Sequence, residues 1–75
     1  MNKEEILVVN DERNGLGMEV WQNNDLILEI FRDDKFKTRT ITFFKKEISL
    51  EKIEEYIERF KKDNLWEFTE PLPEK

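Results

Sequence analysis

The 75-residue chain has no cysteine and no histidine. Their absence excludes disulfide staples, structural zinc, thiol nucleophiles and imidazole acid–base chemistry together. Two glycines and two prolines give little material for linkers, and with 37% apolar residues there are too few side chains for two cores. One domain is expected over residues 1–68, followed by a disordered tail at 69–75 that contains Pro71 and Pro73. A domain of this size buries only roughly 60% of its unfolded surface, so self-association or a partner is the support that remains open to it. Near the N-terminus only Ile6 to Val9 are consecutively apolar, far short of a signal-peptide core or a membrane span. A cytoplasmic protein without a membrane role is expected. Positive charge is also scarce, at 13 basic against 18 acidic residues and a net −5. This argues against sequence-independent nucleic-acid binding, which depends on neutralising phosphates, and favours a basic partner.

What is present reads as four strands and a helix. Ile6-Leu7-Val8-Val9 is a β-branched run, and Asn14-Gly15 is a hairpin signal. In Leu16 to Trp21, Leu16, Met18 and Val20 share one face; after the polar turn Gln22 to Asp25, Leu26, Leu28 and Ile30 share a face of the third strand. Asp33-Asp34-Lys35 turns the chain into a fourth strand, Phe36 to Phe44. There Lys37 and Arg39 have the parity of Ile41 and Phe43, so either the basic half overhangs the core or a bulge changes the parity. Ser49 is the expected N-cap of a helix of roughly 12–14 residues on which Leu50, Ile53, Tyr56, Ile57 and Phe60 recur at helical spacing, ending at Asp63-Asn64. The economical architecture is α+β, a four-stranded antiparallel sheet with its apolar face under one C-terminal helix (ββββα). Leu28, Ile30, Ile53, Ile57 and Phe60 are the expected centre of the core. Trp21, Ile27 and Phe31 then alternate onto the other face, either as an exposed apolar patch for a partner or a second copy, or covered by Trp66 and Phe68.

The motifs that imitate chemistry fail on spacing. Asn10-x-Glu12-x-Asn14-Gly15 begins like a calcium loop, but Trp21 stands where the bidentate glutamate belongs. Gly15-Leu16-Gly17 begins like a dinucleotide fingerprint, but Val20 replaces the third glycine. Asp33-Asp34 can be drawn as a metal site, yet adjacent acids in a turn ordinarily accept local backbone hydrogen bonds. Ser49, the only serine, is a cap with no general base placed for it. No catalytic residue, metal site or cofactor is expected.

Charge is segregated: residues 1–34 balance to −6, residues 35–46 carry five bases and no acid, and residues 47–75 balance to −4. Within the helix Glu51, Glu54, Glu55 and Glu58 form one outward stripe, with Glu55/Arg59 and Glu58/Lys62 as offsetting pairs. Lys35, Lys37 and Arg39 make a basic stripe, with Glu29 within cross-strand reach of Arg39 if the turn is three residues long.

The run through Gly17-Met18-Glu19-Val20, Leu28 to Asp34, Arg39 to Phe43 and Ile48-Ser49-Leu50-Glu51, covering roughly residues 16–62, resembles small bacterial proteins, some of which in turn resemble toxin-immunity proteins. Similar compact acidic proteins occur among phage anti-defence inhibitors. The resemblance transfers no functional residue. It implies a non-enzymatic protein-binding module, an immunity-type inhibitor that occludes a basic, nucleic-acid-processing toxin through its acidic surface. The alternatives are a phage anti-defence inhibitor and a structural homodimer. The expected contact residues are Glu51, Glu54, Glu55 and Glu58 on the helix, with Trp21 and Phe31 on the sheet.

Overall fold

A computed structural model describes residues 3–10 and 15–69. Strands β1 (Glu4–Asn10), β2 (Gly15–Gln22), β3 (Asp25–Asp33) and β4 (Thr38–Phe43) form one antiparallel sheet in the order β1-β2-β3-β4, and helix α1 (Leu50–Lys62) follows. This is the small ββββα fold that the apolar periodicity predicts. The β1–β2 pairing makes the opening hairpin, although Asn14 lies outside the described residues. Gly15 belongs to β2 and has no positive φ. Its value is closeness: a Cβ there would lie 1.8 Å from the Arg32 carbonyl oxygen. The next turn is made by Asn23 and Asn24, whose φ of 51° and 71° are what a two-residue turn between right-twisted strands requires. Asn23 also ties down the start of β1, donating its N–H to the Lys3 carbonyl (2.8 Å) and accepting the Lys3 N–H at Oδ1 (2.9 Å).

The third turn is longer than expected. Asp33 pairs with Thr38, leaving Asp34 to Lys37 in the turn, so Phe36 and Lys37 precede β4 rather than opening it. Asp33 Oδ1 accepts the N–H groups of Lys35 (2.9 Å) and Phe36 (3.0 Å), and Lys37 closes the turn with a φ of 56°. From there β3 and β4 pair without a break, placing Arg39 opposite Arg32, Ile41 opposite Ile30 and Phe43 opposite Leu28. The parity question in β4 is thus resolved as an overhang of the core. The register also puts Glu29 opposite Thr42, out of line with Arg39.

The bulge lies instead between β2 and β3, where Val20 pairs with Leu28 and Trp21 with Leu26, leaving Ile27 as the extra residue. That irregularity corrects the expectation for Ile27: both Ile27 and Leu28 join the core, with Met18, Val20, Ile30, Tyr56, Phe60 and Leu65. Ile53 and Ile57 pack against this cluster from its rim, half-buried, and Leu50 in the first helical turn is exposed.

The helix ends follow their local chemistry. Ser49 Oγ accepts the Lys52 N–H (3.2 Å) from an extended conformation. At the other end Asn64 takes a left-handed φ of 63°, its N–H donates to Lys61 O, and the Leu65 N–H donates to Phe60 O, both at 3.0 Å. This paired closure places Leu65 over Phe60 in the core, and so determines where the chain goes after the helix.

Candidate functional site

The four helix glutamates lie where their spacing puts them. Glu51, Glu54, Glu55 and Glu58 are all exposed and, with Arg59, Lys61 and Lys62, border one shallow open depression on the outer side of α1. Their pairing differs from the expectation. Glu55 meets Lys52 (3.8 Å) across one turn, while Arg59 turns toward the helix end, its Nε donating to Asp63 Oδ2 at 2.9 Å. Lys61 is drawn away as well, its Nζ 4.7 Å from the centre of the Trp66 ring. Two of the three bases at that end therefore face other groups, and the stripe keeps its negative sign.

The two sheet residues expected to join them behave differently. Phe31 is only 3% exposed, so the sheet face does not present it as a docking residue. Its ring lies along β2 where Gly15 and Gly17 have no side chains: a Cβ would come within 3.1 Å of Phe31 Cζ from the former and 3.3 Å of Cδ1 from the latter. Trp21 is half-buried, with its indole N–H donated to Glu19 Oε1 (3.1 Å). Glu19 stands directly opposite Glu29, so this face brings two carboxylates together. Trp66 and Phe68 do fold back, but onto the helix side, where they sandwich the Arg39 guanidinium at 4.1 and 4.2 Å from their ring centres. Arg39 Nε also donates to Trp66 O at 2.8 Å.

Beneath this stack lies an ion pair for which the sequence reading gave no expectation. Arg32 and Asp34 are two residues apart at the end of β3 and both are buried. Arg32 Nη2 donates to Asp34 Oδ2 (3.0 Å) and Nη1 to Leu65 O (3.1 Å); Nε lies 2.8 Å from Asp34 Oδ1 but off its N–H axis, a coulombic contact. Asp34 also accepts the backbone N–H of Thr69 at Oδ1 and its hydroxyl at Oδ2, both 3.0 Å. Thr69, expected to begin the tail, is therefore fastened; residues 70–75 lie outside the described residues. Burial pushes the Asp34 carboxyl upward, but the Thr69 backbone and side-chain hydrogen bonds and the Arg32 guanidinium outweigh it and hold the group below its ordinary 3.8. No local signal in the sequence marks this ion pair, since Asp34 already belongs to the turn and the groups that complete the pair, on Leu65 and Thr69, come from 33 and 35 positions away.

Toward the β1 edge of the sheet, the buried Tyr56 hydroxyl donates to Glu4 Oε2 at 2.8 Å. Burial, then the hydrogen bond to the Glu4 carboxylate, pushes the phenol up to about 12.

Chemically these groups are occupied. Asp33 caps a turn, Asp34 holds Arg32 and Thr69, and among the described residues no group of three or more acidic side chains is gathered to hold a metal ion. Among the same residues no helix is long and apolar enough to cross a membrane. Comparison of the chain with models of protein families, with curated proteins and with solved structures finds no match.

Proposed function

We propose that the protein is a non-enzymatic protein-binding module of the cytoplasm, which docks a basic partner on the outer face of α1 and acts by occlusion, in the manner of an immunity-type inhibitor of a nucleic-acid-processing toxin. The observation that carries this reading is the placement of Glu51, Glu54, Glu55 and Glu58 together on one exposed face, turned away from the core and bordering one open depression. Nothing in the packing requires them there. Such a face attracts a cationic protein at long range, raises the association rate, and once seated excludes an anionic substrate without any chemistry. Phe31 and Ile27 are buried, so of the three apolar residues expected on the outer sheet face only Trp21 stays partly exposed, which favours the helix in this reading.

The test is differential capture from the source organism with the wild-type protein and with a variant carrying Glu51→Lys, Glu54→Lys, Glu55→Lys and Glu58→Lys, followed by stopped-flow association with whatever protein only the wild type retains. A partner retained by the wild type alone is expected, with an on-rate that falls steeply with salt. Identical capture by both proteins, or equal rates and salt slopes, would reduce the stripe to a solvated helix surface.

A further inference from the structure

We propose that the open edge of β4, with the apolar cleft beside it, is a second docking surface that takes an extended acidic segment of a partner protein by strand addition. Three observations converge on it. First, β4 ends the sheet: among the described residues it pairs only with β3, so its outer backbone groups face outward unpaired by any strand. Second, the helix does not cover the sheet out to that edge. A cleft of about 220 Å³ runs between β4 and α1, lined chiefly by Ile30, Ile41, Phe43, Ile53, Ile57 and Trp66. Phe43 and Phe44, at the end of the strand, are 53% and 57% exposed. Third, the edge is flanked at both ends by cations. Lys35 and Lys37 lie in the turn before it, Arg39 within it, and Lys45 and Lys46 after it, and among the described residues none of the five is ion-paired with a carboxylate; Arg39 is held by Trp66 and Phe68 and Lys37 donates to Thr69 O, so Lys35, Lys45 and Lys46 are the cations left to a partner.

The charge selects the occupant. Two copies joined along β4 would bring the same five cations against each other, and lysine beside an open edge is a recurrent means by which sheets refuse self-pairing. An acidic strand meets the opposite field. Its backbone would continue the ladder past β4, apolar side chains at alternate positions would enter the cleft beside Ile41 and Phe43, and carboxylates would face the lysines at either end. β4 is six residues long, so a segment of about seven residues spans it. This surface lies apart from the helix glutamates and has the opposite sign, so its test does not depend on theirs.

The probe is a capped seven-residue peptide alternating glutamate and valine, titrated into the intact protein while backbone amide resonances are followed. Saturable binding is expected, with the largest shifts at Thr38 to Phe43, and roughly tenfold or greater weakening in the exposed-site variant Lys45→Glu with Lys46→Glu. The same peptide N-methylated at alternate residues should not bind, since it cannot extend the ladder. Absence of saturable binding would overturn the proposal, as would equal binding of a lysine–valine peptide or of the N-methylated one, or shifts centred on α1. Sedimentation showing that β4 self-pairs in the absence of peptide would overturn the choice of occupant.

Discussion

On the β1 side of the sheet the helix is tied by a phenol that must keep its proton; on the β4 side the C-terminal segment is tied by a carboxylate that must lose it. Tyr56 donates to Glu4 across the first edge, whereas Asp34 receives Arg32 and Thr69 near the last. The two fastenings therefore fail at opposite ends of the pH scale. Because the Asp34 carboxyl is held low, its contribution is fully present above its ordinary value of 3.8 and is lost as pH falls through its lower folded value. Because the Tyr56 phenol is raised from 10.0 to about 12, its contribution is fully present below about 10 and is lost as pH rises between those values. A small fold without disulfides can thus be closed at its margins by single buried polar contacts, each with its own window.

The comparison is broken most severely at Asp34. Asp34→Ala leaves the Arg32 guanidinium buried without its counter-ion, and a loss of about 3–5 kcal/mol is expected in urea unfolding. Replacing both, Arg32→Met with Asp34→Leu, should lose less than the single change, because no charge is then stranded. In a Trp21→Phe background, where Trp66 is the remaining tryptophan, acid titration should shift its emission before helical circular dichroism falls. Coincident transitions would show that the segment and the helix are one cooperative unit. Next in size is Ile53→Ala on the β4 side, at about 1–2 kcal/mol, less than a fully buried isoleucine gives because Ile53 sits at the rim of the core. On the β1 side Tyr56→Phe should lose about 1 kcal/mol and abolish the alkaline component of unfolding between about pH 10 and 12. A variant that keeps that component would move it to another group. The smallest effect belongs to the four glutamate-to-lysine changes on α1, within about 0.5 kcal/mol each by thermal unfolding, since they touch nothing in the core.

Period-2 and helical spacing located the four strands and the helix, and Ser49 and Asn64 marked the helix ends, because those signals act within one element. The departures arise between elements. Ile27 enters the core through a bulge that exists only as a relation between β2 and β3, and no residue in Leu26 to Phe31 announces it. Phe31 is buried by two missing side chains on the neighbouring strand, so Gly15 and Gly17 were legible as glycines but not as the floor under a ring. In the candidate site the helix stripe was legible from spacing alone. The Arg32–Asp34 pair was not, because the cost of taking its charges out of water is offset only when Leu65 and Thr69 arrive from more than thirty residues away.

The order β1-β2-β3-β4 has a kinetic meaning as well. Each strand lies beside its predecessor, so every ladder can close over a short loop, and contact order stays low until the helix returns. Two hydrogen bonds of large sequence separation, Tyr56 with Glu4 and Thr69 with Asp34, span 52 and 35 positions. Loop-closure entropy makes these the natural last steps of folding and the first to open in the native state. Amide exchange should rank the chain accordingly, slowest in the centre of β2 and β3 and fastest in residues 65–69, where the chain is held more by side chains than by a ladder.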